Sequence, residues 1–326
     1  MPRRKPDPRK RAVAVTGTSE FLGASLLGLM ETDPRYERLL AVDVREPARL
    51  GQKTRFAAVD LSTPDAGSEL AEIFEAQGID TLVHLAFLSN PSHDAAYAHE
   101  MQVAGTMHLL NAASAAGLRK VVVQGSTMSY GARPDNPNFL TEGSPLQAPS
   151  DCAFVEDLID VEQQVQAFRE RQPNTVCTLL RMGSMLGAEV DTFMARMLGS
   201  SVVPTVMGHD PLLQFVHEDD ALRALKLVCD EDHDGVFNIV ADGVLPLSTV
   251  LAIAGRLPLP IPGPLADRLG GFLWAFQAIN IPPALLDYLR YLWVADGSHS
   301  REALGFAPAH DVRQTLSRFL RERKTP

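Results

Sequence analysis

Between Ala12 and Leu180 short β-rich runs alternate with helical stretches, and this alternation restricts the fold more than any other property of the chain. The runs are Ala12 to Val15, Leu39 to Val42, Arg55 to Val59, Thr81 to Leu85, Lys120 to Gln124 and Val176 to Leu180. Between them the helical candidates are Leu22 to Met30, Ser68 to Ala76, Ala95 to Ala116 and Ala153 to Arg171. Strands separated by helices pair in parallel through crossovers, so the expectation is an α/β fold with a Rossmann-type doubly wound parallel sheet. After Arg181 the texture changes: Pro and Gly increase, a further strand is expected at Val236 to Ile239, and apolar helices from Leu265 to Val294. The reading is a basic flexible arm over 1–11, a sheet domain over 12–181, and a mixed region over 182–326 that forms a smaller C-terminal substrate lobe and completes the sheet.

With 326 residues, 45% of them hydrophobic and 21% charged, the chain can bury a full core and is not a mainly disordered protein. A net charge of −10 argues against a nucleic-acid partner, which calls for a basic face. Cys152, Cys177 and Cys229 are scattered and odd in number, so neither a disulfide framework nor a metal site is expected, and a reducing cytoplasm is the expected location. Arg3, Arg4, Lys5, Arg9, Lys10 and Arg11 make the first residues a solvated basic arm, with Thr16, Ser19 and Glu20 interrupting any secretory apolar run behind it. The uncharged stretch Leu269 to Leu286 is broken by Gln277, Asn280 and Pro282-Pro283, too early to span a bilayer. Two readings stay open for it: buried helices or a subunit contact, or a peripheral membrane patch on Phe272, Trp274 and Phe276.

The first strand candidate runs directly into Thr16-Gly17-Thr18-Ser19-Glu20-Phe21-Leu22-Gly23 and a helix, and the next strand ends in Asp43. A strand, a glycine turn, a helix and then an acidic strand end is the order a dinucleotide site requires. Gly17 supplies the tight turn, Gly23 lets helix approach strand, and the helix N-terminus faces a pyrophosphate. Asp43 accepts from ribose hydroxyls and repels a 2′-phosphate, which favours NAD over NADP, a preference softened by Arg45. The sheet domain is therefore read as NAD(P)-binding.

With these residues the chain resembles the extended short-chain dehydrogenase/reductase superfamily, specifically its NAD-dependent epimerase/dehydratase branch, over nearly its whole length. The turn resembles T-G-x-x-G-x-x-G; Asp60-Leu61 sits where that family contacts adenine; Val83-His84-Leu85-Ala86 matches the strand end lining the cofactor. Gly125-Ser126 with Tyr130-Gly131 is similar to S-S-x-x-x-Y-G, Phe215 to Ala221 to F-V-H-V-D-D-V, Gly235 to Ile239 to the family's late strand, and Leu304 to Pro308 to L-G-W-x-P. The resemblance implies cofactor contacts at Gly17, Ser19, Glu20, Phe21, Leu22, Gly23, Asp43, Asp60, Leu61, Leu85 and Ala86. It also implies a homodimer, for which Phe154, Leu158, Val161, Val165 and Phe168 offer an apolar seam.

The resemblance further implies a Tyr whose pKa a Lys four residues on lowers, a polarising Ser and a supporting Asn. Registered on Glu162, the Tyr position holds Phe154 and the Lys position Leu158; the Asn position holds Gln102, and only Ser126 remains. Glu20 replaces the middle glycine of the turn, and Leu213 stands where nucleotide-sugar enzymes of the family carry a diphosphate-clamping Arg. Tyr130, Cys152, Glu156, Asp157 and Asp160 are the candidates for a substitute acid, although Asp157 and Asp160 also read as the polar side of an amphipathic helix. His84 and His217 are expected to be structural hydrogen-bonders. Three functions follow: an NAD-binding protein whose redox chemistry is lost or atypical; an oxidoreductase or isomerase acting on a small or lipid-like alcohol or ketone through Ser126; or a non-catalytic ligand-sensing or membrane-associated scaffold.

Overall fold

The computed structural model describes residues 10–323 except 48, 267, 269–273 and 275–281. Its first half is a regular alternation: β1 (Arg11–Thr16), α1 (Phe21–Thr32), β2 (Tyr36–Asp43), β3 (Thr54–Ala58), α2 (Ala66–Gln77) and β4 (Thr81–His84). There follow α3 (Ala95–His99), a π turn (Glu100–Ala104), α4 (Gly105–Ala115), β5 (Lys120–Ser126), α5 (Ala153–Arg171) and β6 (Val176–Met182). The continuous helix expected from Ala95 to Ala116 is thus interrupted at Glu100–Ala104, where the wider turn carries the fully buried Gln102.

Beyond Met182 come β7 (Ser184–Leu186), α6 (Phe193–Gly199), β8 (Val202–Val206), β9 (Leu212–Leu213), β10 (Phe215–His217), α7 (Glu218–Asp230) and β11 (Gly235–Ile239). The remaining described elements are β12 (Leu245–Pro246), α8 (Leu247–Ala254), β13 (Leu257–Ile261), a 3-10 turn (Pro283–Leu289), α9 (Ser298–Leu304) and α10 (Val312–Glu322). The last helix is held at its start by a reciprocal capping box between Asp311 and Gln314.

Seven strands form one sheet in the order β11-β6-β5-β4-β1-β2-β3, every neighbouring pair parallel. The chain winds outward from β1 in one direction through β2 and β3 and in the other through β4, β5 and β6, so the order reverses between β1 and β4. At such a reversal the connecting loops diverge and leave a crevice beyond the strand ends. The seventh strand comes from the C-terminal region: β11 pairs with β6 from Gly235↔Thr178 to Ile239↔Met182.

Both faces of the sheet are covered, which is why its strands read as continuous apolar runs. One face packs α1 and α7 through Leu26, Met30, Leu225 and Val228; the other packs α2, α4 and α5 through Leu70, Phe74, Leu109, Val161 and Val165. A third apolar cluster joins the start of α5 to the C-terminal elements through Val155, Phe193, Leu251, Tyr288 and Phe319.

Three expectations change here. Arg11, assigned to the solvated arm, is the first residue of β1; it is buried and its guanidinium donates to the Cys229 and Asp230 carbonyls. The seam on α5 is spent inside the chain: Leu158, Val161, Val165 and Phe168 are all buried, the last three against the chain's own sheet, so they do not offer a surface for a second copy. Of the apolar helices expected from Leu265 to Val294, Pro283–Leu289 is a 3-10 turn and Trp293 and Val294 are buried outside any helix. Phe272 and Phe276 lie outside the described residues, while Trp274 stacks on His93 with ring centroids 3.8 Å apart. No helix among the described residues is long and apolar enough to cross a membrane.

Candidate active site

At the reversal point the glycine turn is packed too tightly for any other residue. Gly17 has φ +69°, and a Cβ there would stand 2.6 Å from the Leu85 carbonyl oxygen; at Gly23 a Cβ would stand 2.3 Å from the Gly17 carbonyl oxygen. The turn, the strand end after β4 and the start of α1 are therefore one packed unit, with the N-terminus of α1 opening on the crevice. The Ser19 N–H donates to Asp43 Oδ2 at 2.9 Å, which ties the end of β2 to the turn. Glu20 is exposed and makes no capping hydrogen bond, so its carboxylate stands beside the first turn of the helix.

Behind this unit runs a buried chain of hydrogen bonds. Thr16 Oγ1 accepts from the Leu85 and Ala86 N–H groups at 3.1 and 3.3 Å, so its proton goes to His84 Nδ1 at 2.8 Å. That places the single ring proton on Nε2, which donates to Thr106 Oγ1 at 3.1 Å; Thr106 in turn donates to the Gln102 carbonyl at 2.5 Å. Burial pushes the His84 imidazole down to about 3, so it is neutral at any ordinary pH. Its role is structural, as the sequence indicates.

Three adjoining hollows make one cleft along the strand ends. The first is lined by Gly17, Ser19, Glu20, Asp43, Asp60, Leu61 and Ala86, together with Val44, Tyr97 and Met101. Asp60 caps its own loop there, Oδ1 accepting from the Ser62 N–H and hydroxyl at 3.0 and 2.7 Å. The second shares Gly17, Glu20 and Phe87 with the first and adds Phe21, Leu22, Gly23 and Leu85, with Glu189 and Asp191. The third shares Phe87, Gln124, Met185 and Thr192 with the second and reaches Ser126, Phe154 and Leu158. All the residues expected to hold a cofactor thus face one crevice, and Phe154 and Leu158 stand in it with Ser126.

No Tyr, Lys, His, Asp or Glu is among the described residues lining the third hollow. Ser126 Oγ accepts from the Met128 N–H at 3.1 Å, and its own proton has no acceptor among the described residues. Gln102 lies behind the wall: Oε1 accepts from the Leu88 N–H at 3.1 Å, and Nε2 reaches Asp157 Oδ2 at 3.4 Å. Asp157 also meets His99 Nδ1 at 2.7 Å. It is 4% exposed, so its reading as part of a solvated helix face is corrected: burial pushes its pKa up, while the hydrogen bond to Asp157 raises that of His99. His99, Asp157 and Asp160 bring three ligand atoms within 4.8 Å of one another, a grouping invisible in the sequence because α3 and α5 are far apart along the chain.

Tyr130, Cys152 and Glu156, also candidates for an acid, stand away from this hollow. Tyr130 is buried between Asn238 Oδ1 at 2.8 Å, to which it donates, and Arg181 Nη1 at 2.6 Å; burial raises it to about 12. Arg181 is itself held in a buried pair with Glu162, which is what the helix keeps at that position. Cys152 is buried and its thiol is pushed up to about 11; Glu156 is exposed. His217 caps α7 by accepting from the Asp219 N–H at 3.1 Å, and Leu213 is buried in the C-terminal core. Sequence reasoning missed the cleft residues Phe87, Gln124, Met185, Thr192, Phe193 and Met194. Most lie on loops or short elements after β4 and β6, where no periodic pattern marks them.

Comparison with known proteins places this arrangement. The sequence model of the family described as "NAD dependent epimerase/dehydratase family" matches residues 13–240. An uncharacterized protein of Mycobacterium tuberculosis is 33% identical over 321 residues, covering 96% of this chain and 84% of the relative. A Streptomyces protein named 3-diazoavenalumate denitrifying reductase is 26% identical, covering 91% of this chain and 96% of its own. Among solved structures, MoeE5 in complex with UDP-glucuronic acid and NAD superposes with a TM-score of 0.74 at 22% identity, covering 96% of this chain and 99% of that one. The fold is shared with it.

Proposed function

The chain belongs to the NAD-dependent epimerase/dehydratase family, and from that membership we propose that it holds NAD in the crevice while lacking the family's phenol and ammonium proton relay. One observation carries the second half: beside Ser126 the wall is Phe154 and Leu158, and no titratable side chain is among the described residues lining that hollow.

The fit to NAD rests on the glycine turn, where two positions leave no room for a Cβ and the backbone lies open to a pyrophosphate at the α1 N-terminus. Solved relatives of the same fold, MoeE5 and the dTDP-glucose 4,6-dehydratase DesIV from Streptomyces venezuelae, are described with NAD bound. In this reading Asp43, already oriented by Ser19, takes the ribose hydroxyls and disfavours NADP, and Asp60, Leu61 and Ala86 flank the adenine. Bound NAD supplies a hydride acceptor. Ser126 orients a ligand oxygen through its unspent hydroxyl proton. A serine hydroxyl does not titrate near neutrality, so the matching proton transfer has no carrier of suitable pKa among the described residues lining the hollow. Glu20, Glu189 and Asp191 face the second hollow with no cation among the described residues lining it, which weakens the hold on a pyrophosphate.

A second reading, an active oxidoreductase or isomerase on a small or lipid-like alcohol or ketone, is favoured by the relative named a reductase. It needs a substitute acid, and Asp157, raised by burial but set behind Gln102, is a group of that kind.

Calorimetric titration with NAD, NADH and their 2′-phosphorylated forms tests the proposal. Binding of NAD in preference to NADP, lost in favour of NADP in Asp43→Ser, is expected; a folded protein that takes up no NAD at millimolar concentration removes it. Steady loss of NADH absorbance with a carbonyl panel, abolished by Ser126→Ala, decides for the second reading.

A further inference from the structure

We propose that the hollow beside Ser126 receives a flat, uncharged, largely apolar ligand carrying a hydroxyl or carbonyl oxygen, an aromatic alcohol or ketone, rather than a sugar diphosphate. The inference rests on the reading that this cleft is the ligand site, and it names the ligand class.

The lining supplies the argument. Three rings, Phe87, Phe154 and Phe193, and four thioethers, Met128, Met182, Met185 and Met194, wall the space. Methionine side chains are flexible and polarisable, and a sulfur against an aromatic ring contributes about 0.3–1.5 kcal/mol, so such a wall adapts best to a planar ring. The polar side chains, Ser89, Gln124, Ser126, Ser184 and Thr192, are all uncharged. Thr192 is spent, Oγ1 donating to the Met185 carbonyl at 2.8 Å and accepting from the Ala195 N–H at 3.3 Å. The Ser126 hydroxyl is left to donate, which together with the uncharged Ser89, Gln124 and Ser184 suits a neutral ligand carrying a hydroxyl or carbonyl oxygen.

Charge argues the same way. A diphosphate is held by Arg or Lys, and neither is among the described residues lining the second or the third hollow. The nearby Arg196 is occupied in a two-pronged pair with Asp191, its Nη2 2.6 Å from Oδ2. Carboxylates, not cations, mark the mouth, at Glu20, Glu189 and Asp191. Leu213, ahead of β10, is 1% exposed and packed in the C-terminal core, so it presents neither charge nor surface to an anion.

The test uses acetophenone, 1-phenylethanol and UDP-glucose as probes on the full chain, with and without saturating NAD. Methionine methyl groups labelled with carbon-13 are followed by NMR and assigned by single Met→Leu changes. Acetophenone is expected to shift the Met128, Met185 and Met194 methyl signals, and Phe154→Ala, a half-buried position, to weaken it about tenfold. UDP-glucose is expected to leave those signals in place. The proposal is overturned if UDP-glucose shifts them and acetophenone does not, if neither probe does, or if Phe154→Ala leaves acetophenone affinity unchanged. NAD binding is scored separately: acetophenone binding without NAD binding upholds this inference and defeats the cofactor reading, and the reverse result defeats this inference alone.

Discussion

Lowering the pH from 7 to 5 should cost this protein about 2 kcal/mol of stability through His84 alone. The imidazole sits between Thr16 and Thr106 with Nδ1 accepting and Nε2 donating, so a second ring proton has no acceptor in the folded state. An unfolded chain takes that proton near 6.5, whereas the folded protein resists it down to about 3. The stabilisation is therefore complete above pH 6.5 and falls by about 1.4 kcal/mol per pH unit below it, until the folded-state value is reached. His217, also lowered by burial, acts in the same direction, and His99, raised by Asp157, in the opposite one. The comparison that isolates His84 is with His84→Asn. Urea unfolding of both proteins at pH 7, 6 and 5 gives two slopes; whatever the offset at pH 7, the variant should lose about 2 kcal/mol less on the way to pH 5. Parallel slopes would refute the reasoning, because they mean that folding does not exclude the second proton. The same network fixes the strand ends that carry the glycine turn, and because His84 stays neutral in the folded protein across this window, its titration should leave the NAD affinity of the folded protein unchanged there.

Four more outcomes follow from the geometry. Gly23→Ala places a methyl 2.3 Å from the Gly17 carbonyl oxygen, and should cost about 2–3 kcal/mol by chemical denaturation while abolishing NAD binding in calorimetry. Glu162→Gln leaves the buried Arg181 guanidinium without its counter-charge and should destabilise by about 3–5 kcal/mol in the same assay. Glu20→Gly removes a carboxylate from beside the helix start and should tighten NAD about three- to tenfold, an effect that shrinks with added salt. Phe154→Tyr with Leu158→Lys should raise NADH-dependent carbonyl reduction by about 10²–10⁴, the contribution of a positioned proton donor, as read by absorbance.

What the sequence made legible was local. β1 and the glycine turn are specified by adjacent residues, and α5 runs from Ala153 to Arg171 as its pattern indicates because its apolar side faces a sheet that periodicity implies. The same pattern misled where partners are distant. Asp157 has the spacing of a solvated position, yet His99 and Gln102, from a helix and a π turn more than fifty residues earlier, meet it in the interior. Arg11 continues a basic run, but the carbonyls that end α7 take it into β1. The methionine and phenylalanine wall had no signal, since Phe87, Met185 and Phe193 converge from a loop, a short strand and a short helix only after the sheet has formed. Short pairs such as β9 with β12 and β8 with β13 join segments tens of residues apart, so the C-terminal region showed texture and not topology.

The most direct trial of the account is a crystal structure with NAD soaked in, read for the groups within hydrogen-bonding reach of the reactive nicotinamide carbon and of any ligand oxygen beside it. Ser126 should be the sole hydroxyl there, with Phe154 and Leu158 packed against the ring. A tyrosine with a lysine at its side, on that face of the coenzyme, would contradict the central claim and return the protein to the family's ordinary chemistry.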